Sequence, residues 1–324
     1  VRIDGKLSWR DYSVRMSGLS EERLAPANGI EIAYQEIGDP DGEPLLLIMG
    51  LATQMLAWDE ELCAMLAERG FRVVRFDNRD IGHSTKLESA GVPKRTDMLL
   101  GRRRTAPYLL RDMAEDTVGL MDHLEIESAH LVGASMGGMI AQTTAIRRPE
   151  RVRTLVSIMS STGNRWLGIP SWKAFGTLFA SPGAGREAAI ERTVRTFRTI
   201  GSAAYPMDEA RFRELAAASY DRSHNRAGIA RQLHAVTASG DRTAALERLR
   251  LPATVLHGSS DPLIRPIAGR ATARAIRDSH LRIFDGMGHD LPPELWPDFA
   301  EEITATARRL GRSSSSSLVP LRAT

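Results

Sequence analysis

The stretch His130-Leu131-Val132-Gly133-Ala134-Ser135-Met136-Gly137-Gly138 decides how this 324-residue chain is read. Its first half, His130 to Ala134, is a short apolar run of the kind that forms a buried strand. Met136 to Arg147 then has the composition of a helix. A serine therefore stands at an abrupt strand-to-helix turn, inside a Gly-x-Ser-x-Gly pattern. Such a turn projects Oγ beyond the sheet edge. Gly133 and Gly137 remove Cβ atoms that would collide in so tight a backbone. The helix that follows points its N-terminal N–H groups at the same spot, which favours developing negative charge there. Ser135 is thus the candidate nucleophile, with Gly133 and Gly137 as the glycines of the turn.

Working outward, the flanking sequence alternates strands and helices. Glu31 to Ile37, Leu45 to Met49, Phe71 to Phe76, Val152 to Met159, Ala253 to His257 and Leu281 to Phe284 read as strands. Trp58 to Arg69, Leu109 to Leu124, Ile267 to Arg277 and Glu294 to Leu310 read as helices, the first closed by Gly70. That order predicts an α/β fold with a mostly parallel central sheet flanked by helices. The alternation stops between 161 and 250, a stretch of helical composition too long for a loop. It reads as an inserted helical cap over the carboxyl ends of the strands, where open α/β sheets bind ligands. The expected organisation is an N-terminal arm at 1–27, core at 28–160, cap at 161–250, core again at 251–310, and a disordered serine-rich tail at 311–324. Trp166, Leu167, Trp172, Phe175, Leu178 and Phe179 suggest an apolar pocket beneath the cap.

A serine hydroxyl is a poor nucleophile without a base in reach, and the base needs a carboxylate to orient it. His289 is the best base. It follows the last strand in a Gly286-Met287-Gly288 turn and completes the order Ser…Asp…His. Asp261, in Gly258-Ser259-Ser260-Asp261-Pro262 after the preceding strand, is the best acid. A plain turn role before Pro262 is its bland alternative. Asp285 and Asp290 are runners-up; His83 is a candidate pocket residue, and His257 a structural one. The backbone N–H of Met136, next after the nucleophile, is one expected oxyanion donor. Arg79 and Asp80 read as structural, and Cys63 as a small buried hydrophobe.

These residues resemble the α/β-hydrolase superfamily over about residues 28 to 310. Met49-Gly50-Leu51 stands where that family usually has His-Gly-x. Asp77-Asn78-Arg79-Asp80-Ile81-Gly82-His83-Ser84 is similar to its D-x-R-G-x-G-x-S segment. The variant sequences look like a subgroup of bacterial lipases, carboxylesterases and methylesterases of aromatic polyketide pathways. The resemblance implies the α/β-hydrolase fold and a second oxyanion N–H at Leu51. It also implies ester cleavage through an acyl-enzyme with Ser135, His289 and Asp261, without metal or organic cofactor. Met49 in place of the family's histidine leaves open what shapes the oxyanion loop.

Composition narrows the alternatives. Hydrophobic residues make up 42% and charged residues 26%, ordinary values for a globular chain. Only four of the 43 Lys+Arg residues are lysine, and net charge is +3. The arginines are interspersed with acids, apart from Arg102-Arg103-Arg104, and aromatics are too few for base stacking, so nucleic acid is not an expected partner. One cysteine excludes an internal disulfide and a multi-cysteine metal site. No apolar run is long enough to span a bilayer, and the first residues lack a secretory signal's apolar stretch, giving a cytoplasmic expectation. The expected partner is a small-molecule or lipid ester; oligomeric state is not readable. The same constellation could serve carbon–carbon bond hydrolysis, perhydrolysis or cyanohydrin cleavage. A non-catalytic ligand binder would not need the base.

Overall fold

A computed structural model describes residues 18–167, 170–179 and 185–315. Eight strands form one sheet: β1 (Arg23–Ala27), β2 (Ile30–Ile37), β3 (Glu43–Ile48), β4 (Phe71–Phe76), β5 (Ala129–Ala134), β6 (Val152–Ile158), β7 (Ala253–Gly258) and β8 (His280–Phe284). Their spatial order is β1-β2-β4-β3-β5-β6-β7-β8. β2 is antiparallel to both neighbours, and every pair from β4 to β8 is parallel.

Alternating side chains explain why the central strands read as continuous apolar runs. In β3, Leu45 and Leu47 join one buried cluster with Leu62, Leu66, Phe299 and Ile303, while Leu46 and Ile48 join another with Leu120, Met121 and Ile140. Both faces are covered from Leu45 to Ile48, so that stretch is wholly apolar, while the charged Glu43 sits at the exposed start of the strand. One covering layer holds α1 (Glu60–Ala67) and α11 (Trp296–Ser315). The other holds α3 (Leu110–His123) and α4 (Met136–Arg147). A short helix, α2 (Arg95–Leu100), precedes α3. Asp59 caps α1 by accepting from the Glu61 N–H at 3.0 Å, so that helix starts two residues later than the predicted Trp58.

Between β6 and β7 lie α5 (Trp172–Phe179), α6 (Arg186–Ile200), α7 (Glu209–Arg222), α8 (Arg226–Ser239) and α9 (Thr243–Leu246). The described residues of this stretch contain no strand. α10 (Pro266–Ala275) joins β7 to β8.

Two boundaries differ from expectation. β1 is a sheet strand within the segment read as an arm, paired with β2 through Leu24↔Ala33 and Ala25↔Ile32. Only Ala25 and Ala27 of β1 turn inward, and Pro26 is tolerated because the strand lies at the sheet edge. At the other end α11 runs to Ser315, so the tail expected to be disordered begins as helix. Its inner stripe of Phe299, Ile303 and Ala307 anchors the helix to the core. Residues 1–17 and 316–324 lie outside the described residues.

Candidate active site

Ser135, Met136 and Gly137 follow β5, Leu51 follows β3, Asp261 follows β7 and His289 follows β8, each beyond the carboxyl end of a parallel strand, and Gly133 is the last residue but one of β5. The register pairs Ile48 with Gly133 and Ala134 with Ile158, so the ends of β3, β5 and β6 meet. Gly258 pairs with Phe284 one step further along. Ser135 leaves β5 at φ +54°, ψ −118°, a conformation that L-residues rarely hold. Its N–H donates to Ile158 O at 2.9 Å, and its own carbonyl accepts from Ser160 Oγ at 2.7 Å. Gly137 leaves no room for a side chain: a Cβ there would lie 1.9 Å from Ile48 O. One on Gly133 would lie 2.2 Å from Gly137 O. The strand and the helix are thus pressed together behind the serine.

His289 Nε2 lies 2.9 Å from Ser135 Oγ, and His289 Nδ1 lies 2.7 Å from Asp261 Oδ2. A carboxylate only accepts, so Nδ1 carries the proton and Nε2 is free to accept the serine hydroxyl. Asp261 Oδ1 takes two further hydrogen bonds, from the Leu263 and Ile264 N–H groups, each at 2.9 Å. These fix the carboxylate so that its other oxygen faces the imidazole. The loops carrying acid and base are tied directly, the Ser260 N–H donating to Met287 O at 3.0 Å. Asp261 and His289 are buried, at 3% and 7% exposure, whereas Ser135 is partly open.

Met136 directly follows the serine, and the loop carrying Leu51 approaches it at Gly50. Met136 opens α4, and a Cβ on Gly50 would lie 3.2 Å from Ser135 Cβ, which puts the Gly50 backbone against Ser135. Where the sequence lacks histidine, two amides shape this loop. Asn78 Nδ2 donates to Met49 O at 2.9 Å. Gln232 of α8 accepts from the Ala52 N–H at 3.1 Å and donates to Arg79 O at 2.9 Å. Ala52 is held at φ +63°. Gln232 carried no sequence signal, being 180 residues from its partner.

The rejected candidates have other partners. Asp290 accepts from Ser202 Oγ at 2.5 Å and from the Ser202 N–H, and burial pushes its carboxyl above the usual range. Asp285 accepts from Ser259 Oγ. His83 contacts Glu22 and Arg222 O rather than the serine. Arg79 makes a two-pronged pair with Asp116 at 2.6 and 2.5 Å. Asp80 binds Arg231 at 2.8 and 2.6 Å and accepts from Tyr108 Oη. Burial alone would raise the Asp80 carboxyl, but Arg231 and the other donors hold it below its ordinary value. Cys63 is fully buried, and desolvation pushes its thiol up to about 12, which removes it as a nucleophile.

His257 stands closer to the acid than its reading as a structural residue implied. Its Nε2 donates to Ile264 O at 2.7 Å and lies 3.5 Å from Asp261 Oδ2, beyond good hydrogen-bond range. Burial lowers its pKa, favouring neutral imidazole. It steadies the turn that presents Asp261. The expected pocket aromatics are less informative: Trp166 and Trp172 are exposed, at 78% and 80%, and the side chains of Phe175, Leu178 and Phe179 lie outside the described residues. Among the described residues no group of three or more His, Cys, Asp or Glu is arranged to hold a metal ion. No described helix is long and apolar enough to cross a membrane.

Comparison with known proteins fits this geometry. The family profile for the alpha/beta hydrolase fold matches residues 43–294. Two rhodomycin D methylesterases are similar along most of the chain. That of Streptomyces sp. (strain C5) is 27% identical and that of Streptomyces peucetius 26%, each over 88% of this chain and 98% of its own. Among solved structures, an esterase from Rhodococcus sp. ECU1013 superposes with a TM-score of 0.70 at 20% identity, covering 90% of this chain and all of that one. That likeness is one of fold.

Proposed function

Because the chain belongs to the alpha/beta hydrolase fold family, we propose that it is a serine hydrolase that cleaves carboxylic esters through an acyl-enzyme. The observation that carries the reading is the relay of hydrogen bonds Ser135–His289–Asp261, at 2.9 and 2.7 Å. In the first step Ser135 Oγ attacks the ester carbonyl carbon as His289 Nε2 takes its proton. The C=O electron pair moves onto oxygen, and the N–H groups of Met136 and Leu51 hold that oxyanion. Collapse breaks the ester C–O bond, and imidazolium returns the proton to the departing alkoxide. Water then enters, loses a proton to His289 and attacks the acyl carbon, which releases the carboxylic acid and restores Ser135. Asp261 keeps its charge throughout, fixing the tautomer and stabilising imidazolium.

The residues 161–250 are read as a cap over this site. Two contacts support it: Ile200 O accepts from the His289 N–H at 2.7 Å, and Gln232 holds the oxyanion loop. The methylesterase relatives favour a methyl ester as the substrate class. A fluorophosphonate probe should label the folded protein stoichiometrically and should fail on Ser135→Ala. Hydrolysis of methyl and p-nitrophenyl esters, measured beside a carbon–carbon substrate such as a vinylogous 1,5-diketone, separates ester from carbon–carbon cleavage. Faster turnover of the diketone would overturn the ester assignment.

A further inference from the structure

The large apolar side chains left in water are not scattered evenly. Val92, Leu99 and Leu100 are 70%, 52% and 57% exposed, all within one segment around α2. The same segment carries Lys94, Arg95, Arg102, Arg103 and Arg104, and its single acid, Asp97, is buried and paired with Arg102 at 3.1 Å. Lys94, Arg95, Arg103 and Arg104 form no ion pair among the described residues. Exposed arginines elsewhere are mixed: Arg147 and Arg148 pair with Glu115 and Arg186 with Asp221, whereas Arg265, Arg270, Arg274 and Arg277, around α10, also form no ion pair among the described residues. Arg103, Arg104 and Arg111 also line a hollow of about 490 Å³.

Trp166 and Trp172, in the segment that follows β6, are also exposed. Each has a cation beside its ring: Arg165 lies 5.9 Å from the Trp166 ring centre, and Lys173 5.6 Å from that of Trp172. The α2 segment and the Trp166 segment both rest on the end of α8. A Cβ on Gly101 would lie 2.5 Å from Thr237 O, and one on Gly163 would lie 2.2 Å from Gly240 O. Trp172 begins α5 beside the acid loop, where the Ser171 N–H donates to Pro262 O at 2.8 Å. Exposed leucines and indoles among unpaired cations suit a boundary that is apolar within and negative at its surface. A folded protein partner would more often meet such cations with partners of its own rim, whereas indole beside cation is the pattern of a bilayer interface.

We propose that the face formed by Val92, Leu99, Leu100, Arg103, Arg104 and Trp166 docks the protein reversibly on a bilayer containing anionic lipid. The cations attract the headgroups, and the apolar side chains enter the boundary between headgroups and acyl chains. The face does not include Ser135, His289 or Asp261, so docking and catalysis are separable.

The test uses the full chain with sedimenting vesicles of phosphatidylglycerol and phosphatidylcholine, and of phosphatidylcholine alone. Binding to the anionic vesicles should be at least about tenfold tighter, should weaken as salt rises from about 0.02 M to about 0.5 M, and should shift tryptophan emission to the blue. The paired variants Leu99→Ser/Leu100→Ser and Arg103→Glu/Arg104→Glu should each weaken it about tenfold or more, with unchanged thermal unfolding and unchanged turnover of a soluble p-nitrophenyl ester. Absence of binding to anionic vesicles overturns the proposal. So does wild-type binding by the leucine variant alone, which would reduce the face to a general polyanion patch.

Discussion

Ser135 occupies a backbone conformation that costs on the order of 1–3 kcal/mol, and the turn persists because Gly133 and Gly137 let strand and helix close behind it. At this scale the proposed roles have sharp consequences. Ser135→Ala and His289→Ala should each lower ester kcat/KM by ~10⁴ or more, read as initial rates on a p-nitrophenyl ester. Asp261→Asn should cost ~10⁴ in kcat with little change in fold, since an amide no longer enforces the tautomer. A loss under tenfold in any of the three would remove that residue from the mechanism. The serine and its glycines were legible because a Gly-x-Ser-x-Gly turn needs those residue types at adjacent positions. Asp261 was legible for its place after β7. His257 was read as structural, and its proximity to the carboxylate depends on how 261–264 turns back, which local sequence does not encode.

Elements set the positions of these groups. The loop after β3, proposed to hold the oxyanion, is shaped by Asn78 from the loop after β4 and by Gln232 from α8. Gln232→Leu leaves the Ala52 N–H and Arg79 O without their partner. It should lower kcat about tenfold to a hundredfold with KM nearly constant, whereas Gln232→Glu, which keeps an acceptor for Ala52, should recover part of the loss. Steady-state kinetics on one ester series reads both. The same helix is anchored by Arg231 against Asp80, both essentially fully buried. Asp80→Asn should destabilise the protein by about 3–5 kcal/mol, because it strands a buried guanidinium, and chemical denaturation would measure it. The central strand β3 could be read from its apolar run buried on both faces. β1 could not, because a strand with two inward alanines and a proline leaves no run to recognise.

For the molecule as a whole, two ion-paired carboxylates confer a sensitivity to acid. Asp80 and Glu22 both titrate below their ordinary values in the folded chain. Burial opposes this, and Arg231 for Asp80, and Arg222 with His83 for Glu22, outweigh it. A depressed folded value means that the stabilisation is complete above the unfolded value, near 4, and is lost as pH falls through the folded one. The melting temperature should therefore drop as pH is taken below about 4. A melting curve flat to about pH 3 would contradict that linkage. The sequence alone determined the α/β alternation and the strand-to-helix turn at Ser135, because strand burial and turn geometry are local demands met by neighbouring residues; it put Ser135, Asp261 and His289 forward as the proposed catalytic positions. Only the tertiary structure decided which amides hold the loop after β3, which loops α8 packs against, and which cations stay unpaired in the segment of the exposed leucines. Those outcomes arise from contacts between distant segments, where packing rather than local preference chooses the partner.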